Sequence, residues 1–158
     1  MSKKRRLVRE RVLQALYAYE ISREPIEFII ENIVGDLKKQ NDAFEFAKNF
    51  ILKVVSSSKE IDALIRQRVE HWEFNRIAII DKIVLRMGIC ELLYFEDIPP
   101  KVSINESIEI ARTFSTEKSD KFVNGVLDSI LDDLKSTGQL KKSGRGLLES
   151  TSTKKKQE

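Results

Sequence analysis

The chain has 158 residues, 41% hydrophobic and 34% charged, with six Gly, three Pro, one Cys and one His. That length fits one domain or two small halves sharing a core, and so few Gly and Pro argue against a turn-rich all-β protein or a disordered chain. The net charge of +3 is unevenly spread: residues 1–11 carry +5 and residues 135–158 carry +5, leaving −7 on the stretch between. Such basic ends can hold a polyanion, while the acidic body suits a basic partner.

Ser2 is positioned to cap a first helix running to about Glu20, with Val8, Val12, Ala15, Leu16 and Tyr19 on one face. Pro25 suits the first position of a second helix carrying Ile26, Ile29, Ile30, Ile33 and Leu37. A third follows Asn41-Asp42 and turns Phe46, Phe50, Ile51 and Val54 inward. Ser57-Ser58-Lys59-Glu60 reads as a break with a capping box, opening a short helix through Ile61, Leu64, Ile65 and Val69. Asn75 is placed to cap the longest apolar helix, from Ile77 through Leu93. It is apolar nearly all round, which makes it the central element. Gly88 inside it points to a second helix crossing closely. Pro99-Pro100 ends that region. Ser103-Ile104-Asn105-Glu106 reads as another capping box, starting a helix through Ile108, Ala111 and Phe114. After a break at Ser115-Thr116, the last helix carries Phe122, Val123, Val126, Leu127, Ile130, Leu131 and Leu134, and Gly138 sits where a C-terminal cap is expected. The helical period runs straight through Asn124-Gly125, so that pair is read as helix rather than hairpin. From about Thr137 the Gly, Ser, Thr and Lys content predicts a mobile tail. All-α is the fold class this pattern supports.

No converging set of catalytic groups emerges. His71 beside Trp72 reads as a capping or packing residue, and Cys90 as a buried, inert thiol. One Cys forms no internal disulfide, and one His with one Cys makes no zinc cage. The pairs Glu96-Asp97 and Asp132-Asp133 read as solvated surface. No phosphate-binding glycine loop, nucleophile elbow or metal-ligand spacing is present. No apolar run approaches the ~20 residues that span a bilayer, and no signal-peptide core follows the charged N-terminus. The expectation is a cytoplasmic protein that works by binding, without cofactor or metal.

The first binding signal is the N-terminal basic run. Arg5 and Arg9 line one stripe with Val12, Arg6 lies beside it, and Tyr17 follows about two turns later. Guanidinium groups clamp phosphates and an aromatic ring stacks an unpaired base, a combination suited to single-stranded nucleic acid. The alternative is a solubilising basic terminus. A second signal is Lys118, Lys121 and Phe122 at the start of the last helix, where free N–H groups and the helix dipole favour a phosphate; there a buried Phe is the alternative. Lys154, Lys155 and Lys156 suggest only loose electrostatics.

Arg9-Glu10-Arg11 followed by Leu13-Gln14-Ala15-Leu16-Tyr17 resembles the opening helix of the transcription antitermination factor NusB family. Three more segments fit that family in order: Trp72 with Arg76-Ile77 and Asp81-Lys82-Ile83-Val84-Leu85-Arg86-Met87-Gly88, then Glu91-Leu92; Pro100 through Glu106 and Ile108 through Arg112; and Lys121-Phe122-Val123-Asn124-Gly125-Val126-Leu127-Asp128. The resemblance covers roughly residues 5–134. It implies two packed helical bundles of about seven helices, divided here as residues 1–72 and 73–137 with a flexible basic tail over 138–158. It also implies a non-enzyme that binds boxA RNA with the ribosomal protein NusE, within an antitermination complex on RNA polymerase that supports ribosomal RNA transcription. The alternative is a stand-alone module like the NusB-like domain of ribosomal RNA methyltransferases. Carried over by position, the RNA-binding residues are Lys3, Lys4, Arg5, Arg6, Arg9, Tyr17, Lys118, Lys121, Phe122 and Asn124. Those for the protein partner are Arg76, Asp81, Lys82 and Glu106, with Glu106 and Asn124 equally readable as structural. The chain is read as a monomer or homodimer.

Overall fold

The computed structural model describes residues 2–148, excluding the side chains of Ser2, Lys3, His71 and Trp72. Eight α-helices occur among the described residues: α1 Ser2–Ser22, α2 Ile26–Val34, α3 Asn41–Ser56, α4 Ser58–Arg66, α5 His71–Arg76, α6 Ile79–Tyr94, α7 Pro100–Phe114 and α8 Ser119–Ser136. Single 3-10 turns cover Gly35–Lys39 and Gly144–Leu147.

Helices α1, α2 and α3 pack on one another, as do α6, α7 and α8, and α6 also touches α1, α3 and α4. The apolar α6 therefore spans both groups. Ile83, Leu85, Ile89 and Leu92 are essentially sealed from solvent, as are Leu13 of α1, Phe50 and Ile51 of α3, and Leu127 of α8. Truncating any of these to Ala is expected to cost about 2–5 kcal/mol. Gly88 marks the crossing: a Cβ there lies 2.8 Å from Ser107 Oγ of α7 and 2.9 Å from Leu127 Cδ1 of α8. Charged ties reinforce the joint. Arg86 of α6 donates to Asp62 Oδ1 and Oδ2 of α4 at 2.8 and 3.0 Å and lies 3.5 Å from Glu20 of α1. Arg68 pairs with Asp133 of α8.

The structure departs from the sequence expectation at two helix starts, at one helix cap and at the tail. Asn75 lies inside the short α5, and extended backbone at Ile77 and Ala78 separates it from α6, whose first turn has no side-chain cap. An apolar period cannot register such a two-residue break. Helix α7 begins at Pro100, three residues before the expected capping box. Proline's fixed φ and missing N–H suit that first position. Ser103 is then interior, and its hydroxyl donates to Glu91 Oε1 at 2.9 Å instead of capping. At α4 the boundary falls as expected, but Ser57 makes no side-chain capping bond. Beyond α8, Gly138 adopts φ +75° and lets Gln139 and Leu140 donate their N–H groups to Leu134 O. Residues 139–148 do not leave the body as a tail. Leu140 packs on the core, and Ser143 N–H donates to Glu96 O at 3.0 Å.

Candidate nucleic-acid interface

The first turns of α1 hold no acidic residue, so its arginines find counter-charges elsewhere. Arg9 points inward, 3% exposed, and donates from Nε and Nη2 to both oxygens of Glu91 at 2.9 and 2.8 Å. Glu91 is itself 1% exposed and also accepts the Ser103 hydroxyl. Arg6 forks onto Glu106 of α7 at 3.2 and 2.6 Å, and Arg9 Nη1 lies 3.6 Å from the same carboxylate. Burial opposes the charge on Arg9, but the bonds to Glu91 outweigh it and its pKa is raised. For Arg6 the hydrogen bond to Glu106 is the main cause of the same upward shift. Two of the sequence candidates for RNA, Arg6 and Arg9, are therefore engaged with α6 and α7. Glu106, a candidate for the protein partner, closes that same internal network.

Arg5 behaves differently. Its guanidinium lies 3.8 Å from the centre of the Phe46 ring, a cation–π contact. Phe46 packs edge-on against Phe50 and Phe95 at 5.7 and 5.5 Å. No carboxylate among the described residues forms an ion pair with Arg5, which is half-buried, and Lys4 is exposed. Tyr17 is 40% exposed on the α1 face that also carries Arg6, Glu10 and Gln14. The side chain of Lys3, and all of Lys154, Lys155 and Lys156, lie outside the described residues.

At the start of α8, Lys118, Lys121 and Asn124 are exposed, and no Cβ at Gly125 would meet anything within 4 Å. Phe122 is half-buried and lines a shallow pocket of about 270 Å³ with Glu73, Arg76, Ile77, Ala78 and Asp81. Asp81 is 9% exposed; its Oδ2 accepts the Ser119 hydroxyl at 2.8 Å, while Oδ1 is buried with no hydrogen-bond partner among the described residues. Lys82 turns away and sits 4.5 Å from the Phe74 ring centre, where burial lowers its pKa.

The structure thus gathers Arg76, Asp81 and Phe122 at one pocket and places Lys118, Lys121 and Asn124 exposed near the same end of α8. Lys4 and Arg5 lie on α1, and Arg6, Arg9 and Glu106 join the clamp between helices. Sequence reasoning did not give Glu91 a role. The available signal was a carboxylate set within the apolar run Met87–Leu93 of a helix apolar nearly all round, a pattern that requires a buried counter-charge. Glu73 of the pocket had no signal of its own. Cys90 is buried and its thiol pKa is pushed up, as for an inert core residue. Among the described residues no group of three His, Cys, Asp or Glu is placed to hold a metal, and no helix is long and apolar enough to cross a membrane.

Residues 6–132 match the NusB family. The chain is 47% identical over 154 residues to the transcription antitermination protein NusB of Chloroherpeton thalassium, covering 92% of this chain and 69% of that protein. It is 43% identical over 145 residues to the protein of that name from Salinibacter ruber, covering 91% of each. Among solved structures, T. maritima NusB superposes with a TM-score of 0.75 at 42% identity, over 82% of this chain and 91% of that one. A crystal structure of the antitermination factors NusB and NusE in complex with dsRNA superposes with a TM-score of 0.72 at 25% identity, over 84% of this chain and 99% of the other.

Proposed function

The chain belongs to the NusB family of transcription antitermination proteins, and from that premise we propose that it binds boxA RNA together with ribosomal protein NusE. In this reading it joins an antitermination complex on RNA polymerase in the cytoplasm and acts by binding, without catalysing a reaction. The observation that carries the RNA part is the division among the α1 cations. Arg6 and Arg9 are neutralised by Glu106 and Glu91, whereas Lys4 and Arg5 keep positive charge that no carboxylate among the described residues pairs with. Lys4, Arg5 and Tyr17, with Lys118, Lys121 and Asn124 at the start of α8, are the RNA contacts of this proposal. Arg6 and Arg9 act through Glu106 and Glu91, as positioning residues that fix the angle of α1.

NusE is assigned to the Arg76–Asp81–Phe122 pocket. A buried carboxylate oxygen with no donor is costly, and a cationic or N–H group from a partner relieves that cost. In this division residues 1–72 share the RNA face with the start of α8, and residues 73–137 also carry the partner face. Titration of labelled single-stranded boxA-like RNA, with and without NusE, tests the reading, with a duplex of the same sequence as competitor. Binding is expected to weaken with salt, and Lys4→Ala with Arg5→Ala should reduce the slope of log affinity against log salt by about 1.4, at ~0.7 per contact. No ternary assembly at low salt overturns the proposal.

A further inference from the structure

The family match ends at residue 132, yet residues 139–148 are built onto the body at a defined place. The Lys142 ammonium donates to Glu91 O at 3.0 Å and to Phe95 O at 2.8 Å, two carbonyls at the end of α6. A cation is favoured there by the helix dipole. Burial lowers the Lys142 pKa, against the pull of Glu91, so the ammonium is partly withdrawn from water. Ser143 N–H donates to Glu96 O, and Gly146 is pressed against the same residue so closely that a Cβ would collide with the Glu96 carbonyl oxygen. We call residues 139–148 the strap.

The two anchors of Lys142 are also tied to the basic helix. Glu91 holds Lys142 through its carbonyl and Arg9 through its carboxylate. Phe95, the other anchor of Lys142, packs against Phe46, the ring on which Arg5 lies. Lys141 and Arg145 of the strap are exposed, and no acidic residue occurs from Lys135 through Leu148. We propose that the docked strap adds a second cationic track beside α1, so that a single-stranded RNA contacting Lys4 and Arg5 continues onto Lys141 and Arg145. This rests on the RNA-binding reading above and extends it to a segment beyond the family match. A solvated strand follows successive cations along its backbone, and the Glu91 and Phe95 anchors that the strap shares with the α1 arginines favour RNA over an acidic protein here.

The test uses the full chain and single-stranded boxA-like RNAs of increasing length across a salt series. Lys141→Ala with Arg145→Ala should leave binding of the shortest RNAs unchanged and lower the salt slope on longer ones by about 1.4. Over a fourfold rise in salt, the affinity deficit should then shrink about sevenfold. Gly146→Ala and, independently, Lys142→Met should undock the strap and shorten the RNA length at which affinity saturates, with helical content retained. A strap that only caps α6 predicts no change in slope or saturating length for Lys141→Ala with Arg145→Ala, and that result overturns the inference. Should the unsubstituted chain bind no RNA, the proposed function fails and this inference with it. Binding by the unsubstituted chain with an unchanged slope in the variants removes this inference alone.

Discussion

The two ends of α6 each bury a carboxylate, and they treat it differently. At the C-terminal end Glu91 receives two bonds from Arg9 and one from Ser103, so both its oxygens are satisfied. At the N-terminal end Asp81 receives one bond from Ser119, and its Oδ1 has no partner among the described residues. One carboxylate is a closed joint that fixes α1 on α6; the other is a site with an acceptor to spare. Burial alone therefore does not distinguish the two carboxylates; the number of donors each one receives does.

The largest expected effect tests the closed end. Arg9→Ala leaves Glu91 charged and buried, and should lower unfolding free energy by about 3–5 kcal/mol in urea titration. Replacing both, as Arg9→Met with Glu91→Leu, should recover most of that loss, because no charge is then stranded. Recovery of nothing would show that the network does more than neutralise charge. The next effect tests the open end. Asp81→Ala should weaken NusE binding by about 2–5 kcal/mol in calorimetric titration, with an unfolding midpoint close to that of the parent chain. A large drop in stability with binding intact would make Asp81 a structural group like Glu91. Between the two ends, Gly88→Ala should cost about 1–3 kcal/mol by forcing α7 or α8 outward from Ser107 and Leu127, read as a lowered thermal midpoint. The smallest effect is that of Arg6→Ala, whose side chain is 37% exposed. Solvent screening holds its contribution to stability near or below about 1 kcal/mol.

Much of this was legible in the sequence because helical periodicity reports burial directly. The central position of α6, the crossing at Gly88 and the αL residue at Gly138 all follow from patterning and glycine chemistry. What stayed hidden depended on partners far apart in the chain. Arg9 and Glu91 are separated by 82 positions, so an arginine on a basic stripe looked available when it was already paired. Ser103 and Glu106 have the spacing of a capping box, but Pro100 starts the helix first, which frees the Ser103 hydroxyl for Glu91 of α6 and the Glu106 carboxylate for Arg6 of α1. The strap was hidden for a related reason. A Gly-, Ser- and Lys-rich segment has too little apolar content to announce a dock, and this one is held mainly through backbone groups: an ammonium on two carbonyls, the Ser143 N–H on a third, and a glycine without a side chain, with Leu140 as its apolar contact on the core.

The Arg9–Glu91 joint also governs how the molecule can move. Swinging α1 away from α6 would carry Arg9 off and leave the Glu91 carboxylate without its counter-charge, a penalty of about 3–5 kcal/mol that holds such an opened form below about one molecule in a hundred. Lys4 and Arg5 on α1 and the Arg76–Asp81–Phe122 pocket consequently sit at a fixed span, like the jaws of a caliper. On the proposed assignment, a transcript and a protein bound at these two places would reinforce each other by tethering, through raised local concentration, rather than through a hinge that one of them must first release.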